Sequence, residues 1–198
     1  AEAGANVSQA MAAVERAVPP NAGPLSMLID LQGATMAPQL RHFEVSTVGS
    51  DSVLRRAGSH GYSGLVARAR IVRAYVLGRR GRFSEAAPGY PRAGEAPERL
   101  QEPDLAAAAY GGLANNMRNL NDHRGTWAAL AKTLGVVDRV EHLRRRYVVL
   151  YGASLVAQAT GVSRAALHFQ NAAVAVAEQR GIAGTIVEAY TRRPGLRE

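Results

Sequence analysis

The amino-acid sequence predicts an all-α protein, and three observations support that prediction. From Leu65 onward, long segments with apolar residues at helical spacing alternate with short polar turns. After residue 60 there is no strong alternation of apolar and polar residues, which is the pattern of a half-buried strand. Hydrophobic residues make up 47% of the chain, and alanine dominates them, whereas aromatic residues make up only 6%. This composition favours a core built from close helix contacts rather than from large side chains.

Residues 1–61 predict helices with less regular spacing. The segment "NVSQAMAAVERAV" predicts a helix that ends before Pro19, and "LSMLIDLQGATMAPQLRHF" predicts a helix in two pieces, with breaks near Gly33 and Pro38. The segment "EVSTVGSDSVLRRAGSHGYSG" is ambiguous, because a β-favouring tetrapeptide precedes a short helix and a turn. We therefore assign residues 1–61 to a divergent N-terminal helical segment or cap.

Residues 62–198 predict about three helix pairs, because turns and small residues recur in one frame. Gly81, Asn121 and Gly161 occupy successive turns, each ~40 residues after the last. Small residues recur seven positions before each turn, and again five and twelve positions after it. Small residues at matching helical positions allow two helices to pack at short interaxial distance. The three columns are Ala74, Ala114 and Ser154; Ala86, Thr126 and Ala166; and Ala93, Thr133 and Ala173.

This frame resembles the tetratricopeptide (TPR) repeat, and the segments "AYVLGRRGRFSEAAPGYPRA", "LANNMRNLNDHRGTWAALAKT" and "SLVAQATGVSRAALHFQNAA" display the resemblance. The ~40-residue period exceeds the usual ~34 residues. It is similar to the TPR arrays of large bacterial LuxR-type and antibiotic-pathway regulators, and to those that precede CHAT protease domains. The resemblance implies antiparallel helices A and B in each repeat, stacked into a short right-handed superhelix whose A helices line a concave groove.

The sequence departs from the repeat pattern at several positions. Arg73 and Arg193 stand where helix A has a large apolar residue, and Gln170 replaces a bulky residue of helix B. Pro194 occupies a small-residue position, so the last helix A is expected to begin near Thr185 and to end early.

Three prolines fall in the second helix of the first predicted pair. An interior proline removes a backbone hydrogen bond and clashes with the preceding turn, at a cost of about 3 kcal/mol. Pro88 and Pro91 are therefore expected to shorten or kink the helix that follows Gly81.

The residues that enzymes and metal sites need are scarce or scattered. The chain has no cysteine, which excludes disulfides, thiolate metal sites and cysteine nucleophiles. Its five histidines form no i, i+3 or i, i+4 pair, and no phosphate-binding loop or nucleophile elbow is present. No stretch of about 18 apolar residues predicts a membrane span. We expect a cytoplasmic, non-catalytic protein without cofactor or metal.

The formal net charge is +8, and Lys132 is the only lysine. A basic surface can favour nucleic acid, but binding requires a concentrated patch. Helical spacing spreads the arginines between Arg68 and Arg82 over several faces. Arg144, Arg145 and Arg146 form the tightest group, at a helix start where cations oppose the helix dipole. A solvated turn and an anion-binding patch both remain open for this group.

The first functional hypothesis is a protein- or peptide-binding scaffold within a larger bacterial regulatory or signalling protein. Asn115, Arg118 and Asn119 lie at i, i+3 and i+4, so one helix face presents two amides and a guanidinium that suit a peptide backbone and a carboxylate. The alternatives are a nucleic-acid or polyanion-binding domain and a purely structural spacer or multimerisation array. The groove residues that the resemblance implies are Arg68, Tyr75, Arg79, Asn115, Arg118, Asn119, Tyr151, Leu155 and Gln158.

Overall fold

The computed structural model describes residues 23–37, 42–99 and 101–180, and these ranges are helical and contain no β-strand. The predicted all-α class is therefore confirmed. The helix predicted at "NVSQAMAAVERAV" and the one expected near Thr185 lie outside the described residues. The helices are α1 (Pro24–Met36), α2 (Phe43–Ser59), α3 (Ser63–Arg79), α4 (Phe83–Ala86), α5 (Gly89–Arg99), α6 (Pro103–Asn119), α7 (His123–Leu134), α8 (Leu143–Ala159) and α9 (Ser163–Arg180), with a 3₁₀ turn at Val137–Arg139.

The helices are regularly spaced along the chain. From residue 43 to residue 163 a helix begins every twenty residues, and only α5, which starts at Gly89 after the proline interruption, falls outside this spacing. Most of the intervening turns contain a residue with a positive φ angle: Gly61, Gly81, Gln101, Asn121 and Gly161. Glycine adopts this left-handed conformation without the steric cost of a Cβ atom, and asparagine tolerates it better than most residues. The turns predicted near Gly81, Asn121 and Gly161 are thus present, and the ~40-residue period is two helix-and-turn units.

The chain forms two compact units, residues 1–100 and residues 101–198. In the first unit, α1 packs antiparallel to α2, and α3 packs against both α2 and α5. Met27, Leu31, Val53, Leu65 and Val72 form its main core. In the second unit, α6 pairs with α7 and α8 pairs with α9.

Within each pair, the helices touch at small residues. The equivalent glycines Gly49 and Gly89 show how tight the contact is, because a Cβ atom built on them would lie 3.1 Å from the Ala34 Cβ and 3.2 Å from the Ala74 Cβ. All three predicted columns of small residues are buried, and they continue one repeat further towards the N-terminus. The added members are Ala34, Ser46 and Val53.

In the N-terminal region, the break expected near Gly33 is wrong, and the segment that was ambiguous in sequence is helical. Helix α1 runs through Gly33 without a break. The β-favouring residues 44–47 belong to the continuous helix α2 rather than to an extended segment. Tertiary packing explains the second difference, because Ser46 is buried in the α1–α2 contact and its hydroxyl donates a hydrogen bond to the carbonyl oxygen of Ala34.

The prolines break the second helix of the next pair, as expected. The four-residue α4 ends at Ala86, and α5 starts at Gly89, so the interruption falls at Ala87 and Pro88. Pro91 lies in the first turn of α5, where a missing N–H costs no helical hydrogen bond. Buried Tyr90 and Ala93 keep α5 in contact with the core.

A large side chain in a small-residue column should destabilise the protein. Ala166 is 1% exposed, so we expect Ala166→Phe to overpack the α8–α9 contact and to lower the free energy of unfolding by roughly 1–3 kcal/mol. The control is Leu167→Phe at the next, exposed position. Urea denaturation followed by circular dichroism would compare the two variants, and an Ala166→Phe midpoint equal to that of the control would contradict the assigned packing.

Gln101 is the one turn residue with positive φ that is neither glycine nor asparagine among the described residues, with φ of 56°. We expect Gln101→Gly to raise the free energy of unfolding by about 1 kcal/mol, because glycine removes the steric cost of the left-handed region. Asn121→Gly is the matched comparison and should gain less. Thermal and urea denaturation would measure both variants. If Gln101→Gly stabilises the protein no more than Asn121→Gly does, or destabilises it, the assignment of strain at Gln101 is wrong.

Candidate functional site

The predicted groove residues of the second unit lie on two neighbouring helices, α6 and α8. These helices are parallel, because Asp104 meets Arg145 near their N-termini and Ala114 shares a core cluster with Ala153 and Val156 further along. The offset between partners stays close to forty residues at both points. In this register, Asn115 lies at the level of Leu155, and Arg118 lies at the level of Gln158.

The face of α6 has the arrangement that its spacing predicts. Asn115, Arg118 and Asn119 are all exposed. The Arg118 Nη2 donates a hydrogen bond to the Asn115 Oδ1 at 3.0 Å, and the Asn119 Nδ2 donates to the Asn115 carbonyl oxygen at 2.7 Å. The guanidinium of Arg118 is therefore held against the helix by a neutral amide.

The face of α8 is more apolar. Tyr151 and Leu155 are half-buried, Gln158 is exposed, and Val148 on the same side is 57% exposed. The ring of Tyr151 stacks on that of the buried Tyr147, with centroids 5.8 Å apart and planes inclined by 3°. Stacking and core contacts fix the orientation of Tyr151 without a ligand.

The remaining predicted groove residues, Arg68, Tyr75 and Arg79, lie on α3 in the first unit. All three are exposed, and the Tyr75 side chain is accessible over 38% of its surface. They are neighbours at helical spacing on one side of α3. A separate depression in the first unit has a volume of about 320 Å³ and is lined by His42, Phe43, Glu44, Val45 and Arg80. None of the predicted groove residues is among these lining residues.

The arginine group at the start of α8 has structural partners. The Arg145 Nη1 donates to the Asp104 carbonyl oxygen at 2.7 Å and lies 3.3 Å from the Asp104 Oδ1. The backbone N–H of Glu141 donates to the Asp104 Oδ2 at 3.1 Å, and the Arg146 Nη2 lies 3.0 Å from the Asp138 Oδ1. Arg145 and Arg146 therefore connect elements of the second unit, while Arg144 is exposed.

Several arginines of the α3 region are also engaged. Arg73, which replaces a large apolar residue in the repeat pattern, pairs with Asp51 of α2 at 3.2 Å. Arg82 forms a two-bond pair with Glu85, and the pKa of the Glu85 carboxyl lies below its ordinary value because of these hydrogen bonds and the nearby positive charge. These contacts compensate the charges of two arginines of the α3 region.

Three buried polar side chains of the second unit, those of Ser154, Gln170 and Asn116, make contacts that were not predicted. The Ser154 hydroxyl and the Gln170 Oε1 are 3.0 Å apart in the α8–α9 contact, which explains why Gln170 can replace a bulky residue. Asn116 is 2% exposed, and its Nδ2 donates to the carbonyl oxygen of Gly112 at 2.9 Å. Valines occupy the equivalent positions 76 and 156 and are also buried, so the repeat frame itself carried the signal that position 116 belongs to the core.

The described residues bring together no group of three or more histidine, aspartate or glutamate side chains that could hold a metal ion. Over the same ranges, no helix combines the length and apolar character that a membrane crossing requires. The candidate site of the second unit has two parts. The face of α6 carries Asn115, Arg118 and Asn119, and the neighbouring face of α8 carries the more apolar Val148, Tyr151 and Leu155.

Loss of the Asp104–Arg145 contact should destabilise the second unit. We expect Arg145→Ala to lower the free energy of unfolding by about 1 kcal/mol, because the pair is partly buried and also includes a backbone acceptor. Arg144→Ala is the control and should have little effect. Urea denaturation in low and high salt would test this, and equal midpoints for the two variants would contradict the structural role of Arg145.

A scan against protein-family models found no family that matches the chain, and a search of curated proteins found no match either.

Proposed function

We propose that the chain is a non-catalytic helical-repeat scaffold that binds an extended, acidic segment of another protein. The observation that supports this most strongly is the charge distribution on α3, α6 and α8, the first helices of their pairs. These helices contain eight arginines and a single carboxylate, Asp104. Arg73, Arg145 and Arg146 pair with carboxylates, whereas the exposed Arg79, Arg118 and Arg144 present positive charge to solvent. Within the second unit, exposed arginines beside the exposed amides of α6 suit carboxylates and a peptide backbone.

The resemblance of the sequence to the TPR repeat supports the same proposal. In that family, the A helices line the groove, and here they correspond to α3, α6 and α8. The candidate contacts are Arg68, Tyr75 and Arg79 on α3, together with Asn115, Arg118, Asn119, Tyr151, Leu155 and Gln158 in the second unit. We propose further that the chain is part of a larger bacterial regulatory or signalling protein and acts in the cytoplasm.

A polyanion-binding domain is the second candidate, and the net charge of +8 favours it. The pairing of Arg73, Arg82, Arg145 and Arg146 with carboxylates argues against it, because these side chains are committed to structural contacts. A structural spacer is the third candidate, and it predicts no ligand at all.

Arg118→Ala provides the test of the proposed function. We expect a fluorescein-labelled acidic peptide rich in Asp, Glu and Leu to bind the full chain, and Arg118→Ala to weaken binding about ten- to a hundred-fold through loss of a charge-assisted pair. Fluorescence anisotropy would measure the affinity, which should fall with added salt. Arg124→Ala, an exposed arginine at the start of α7, is the matched control.

A single-stranded oligonucleotide serves as the competing probe. If it binds more tightly than the peptide, and Arg144→Ala abolishes its binding while Arg118→Ala does not, the chain is a polyanion binder. If neither probe binds, the scaffold proposal is wrong and the chain is better described as a structural spacer.

A further inference from the structure

We propose that a notch between α6 and α8 receives one large apolar side chain of the partner, so that the partner is an extended peptide with an apolar residue between acidic ones. The notch is defined by Gly111 on α6 and Gly152 on α8. This inference rests on the proposed function and adds a specificity-determining position to it.

Gly152 is the first observation. Glycine in a helix interior is destabilising relative to alanine, so it needs a reason. Packing explains Gly49 and Gly89, whose added Cβ atoms would crowd Ala34 and Ala74. Packing does not explain Gly152, because a Cβ atom built there meets no atom within 4 Å. The space beside Gly152 is open.

The helix register supplies the second observation. Asp104 and Arg145 face each other across α6 and α8, and seven residues further along each helix lie Gly111 and Gly152. Seven residues are about two helical turns, which returns to the same side of each helix. A Cβ atom on Gly111 would reach only the Thr133 Cγ2, at 4.0 Å. Two positions without side chains thus lie at nearly the same level of the neighbouring helices, and the space beside Gly152 is open.

The surroundings of the notch indicate an apolar occupant with a peptide backbone. Val148, Tyr151 and Leu155 stand on the α8 side, and Val148 is 57% exposed. Asn115 stands on the α6 side with its side chain exposed. Aliphatic and aromatic walls favour a Leu, Ile, Met or Phe side chain, and an amide can pair with a backbone N–H or carbonyl group.

Charge complementarity completes the description of the partner. Arg144 lies at one end of α8, and Arg118 lies on α6 at the level of the other end, so the two arginines flank the notch. Fourteen helical residues span about 21 Å, which an extended peptide covers with roughly six residues. The apolar residue should therefore have an acidic residue about three positions away on each side.

Selection from a displayed library of random linear peptides tests the inference on the full chain. We expect the wild type to enrich peptides with a large apolar residue between flanking Asp or Glu residues. Gly152→Leu fills the notch and should remove the apolar preference while the acidic preference stays. An enriched peptide should bind Gly152→Leu about ten-fold or more weakly than wild type.

Gly58→Leu is the matched control, because Gly58 is exposed on α2 and a Cβ atom there also meets no atom within 4 Å. It should keep the selection of the wild type. Both variants should melt at or above the wild-type temperature, since leucine favours helix more than glycine does. A large drop in melting temperature for Gly152→Leu alone would mean that another part of the chain fills the notch, and would overturn the inference.

The other outcomes separate the two proposals. Enriched acidic peptides without an apolar preference, or an apolar preference that survives in Gly152→Leu, would overturn the notch and leave the scaffold in place. If no acidic peptide is enriched, both the notch and the proposed binding of an acidic segment are wrong.

Discussion

The close contact of the two helices of a pair at small side chains is the constraint on which the remaining structure depends. Ala34 against Gly49 and Ala74 against Gly89 are so close that another methyl group would fit only if a neighbouring atom shifted. Such contacts bring backbones near each other, and the neighbouring larger residues then interlock on both sides. The short turns within the later pairs follow from the same constraint, because antiparallel helices this close can be joined by three residues, as at 80–82, 120–122 and 160–162, each with one left-handed residue.

Much of this fold could be predicted from the sequence, because the columns of small residues and the turn glycines repeat in one frame. The first pair was missed for two physical reasons. Ser46 and Val53 stand where the other repeats have alanine or threonine, and residues 44–47 favour strands in isolation. Burial of Ser46 against α1 overrides that local preference, which no local pattern can reveal. Gly33 likewise signals a break in isolation, yet α1 continues through it.

Some features of the candidate site follow from spacing along one helix, whereas others depend on contacts between residues far apart in the sequence. Spacing on one helix was enough to place Asn115, Arg118 and Asn119 together, since i, i+3 and i+4 neighbours follow from helix geometry alone. The partners of the arginines could not be predicted, because Asp104 and Arg145 are 41 residues apart in sequence. The open space at Gly152 depends on the neighbouring helix, so the sequence shows only an unexplained glycine.

The charges on α6 and α8 determine how specificity can arise on this surface. Arg118 and Arg144 are separated by about 21 Å along the helices, which exceeds the Debye length of about 8 Å at physiological ionic strength. They therefore act as two independent contacts rather than as one continuous field. Nucleic acid, with its evenly spaced phosphates, gains little from two isolated cations. A peptide can place one carboxylate at each arginine, and the choice among acidic peptides then depends on what fits between them. On this surface, the region between the arginines contains the exposed amide of Asn115, partly exposed apolar side chains of α8 and the open space beside Gly152.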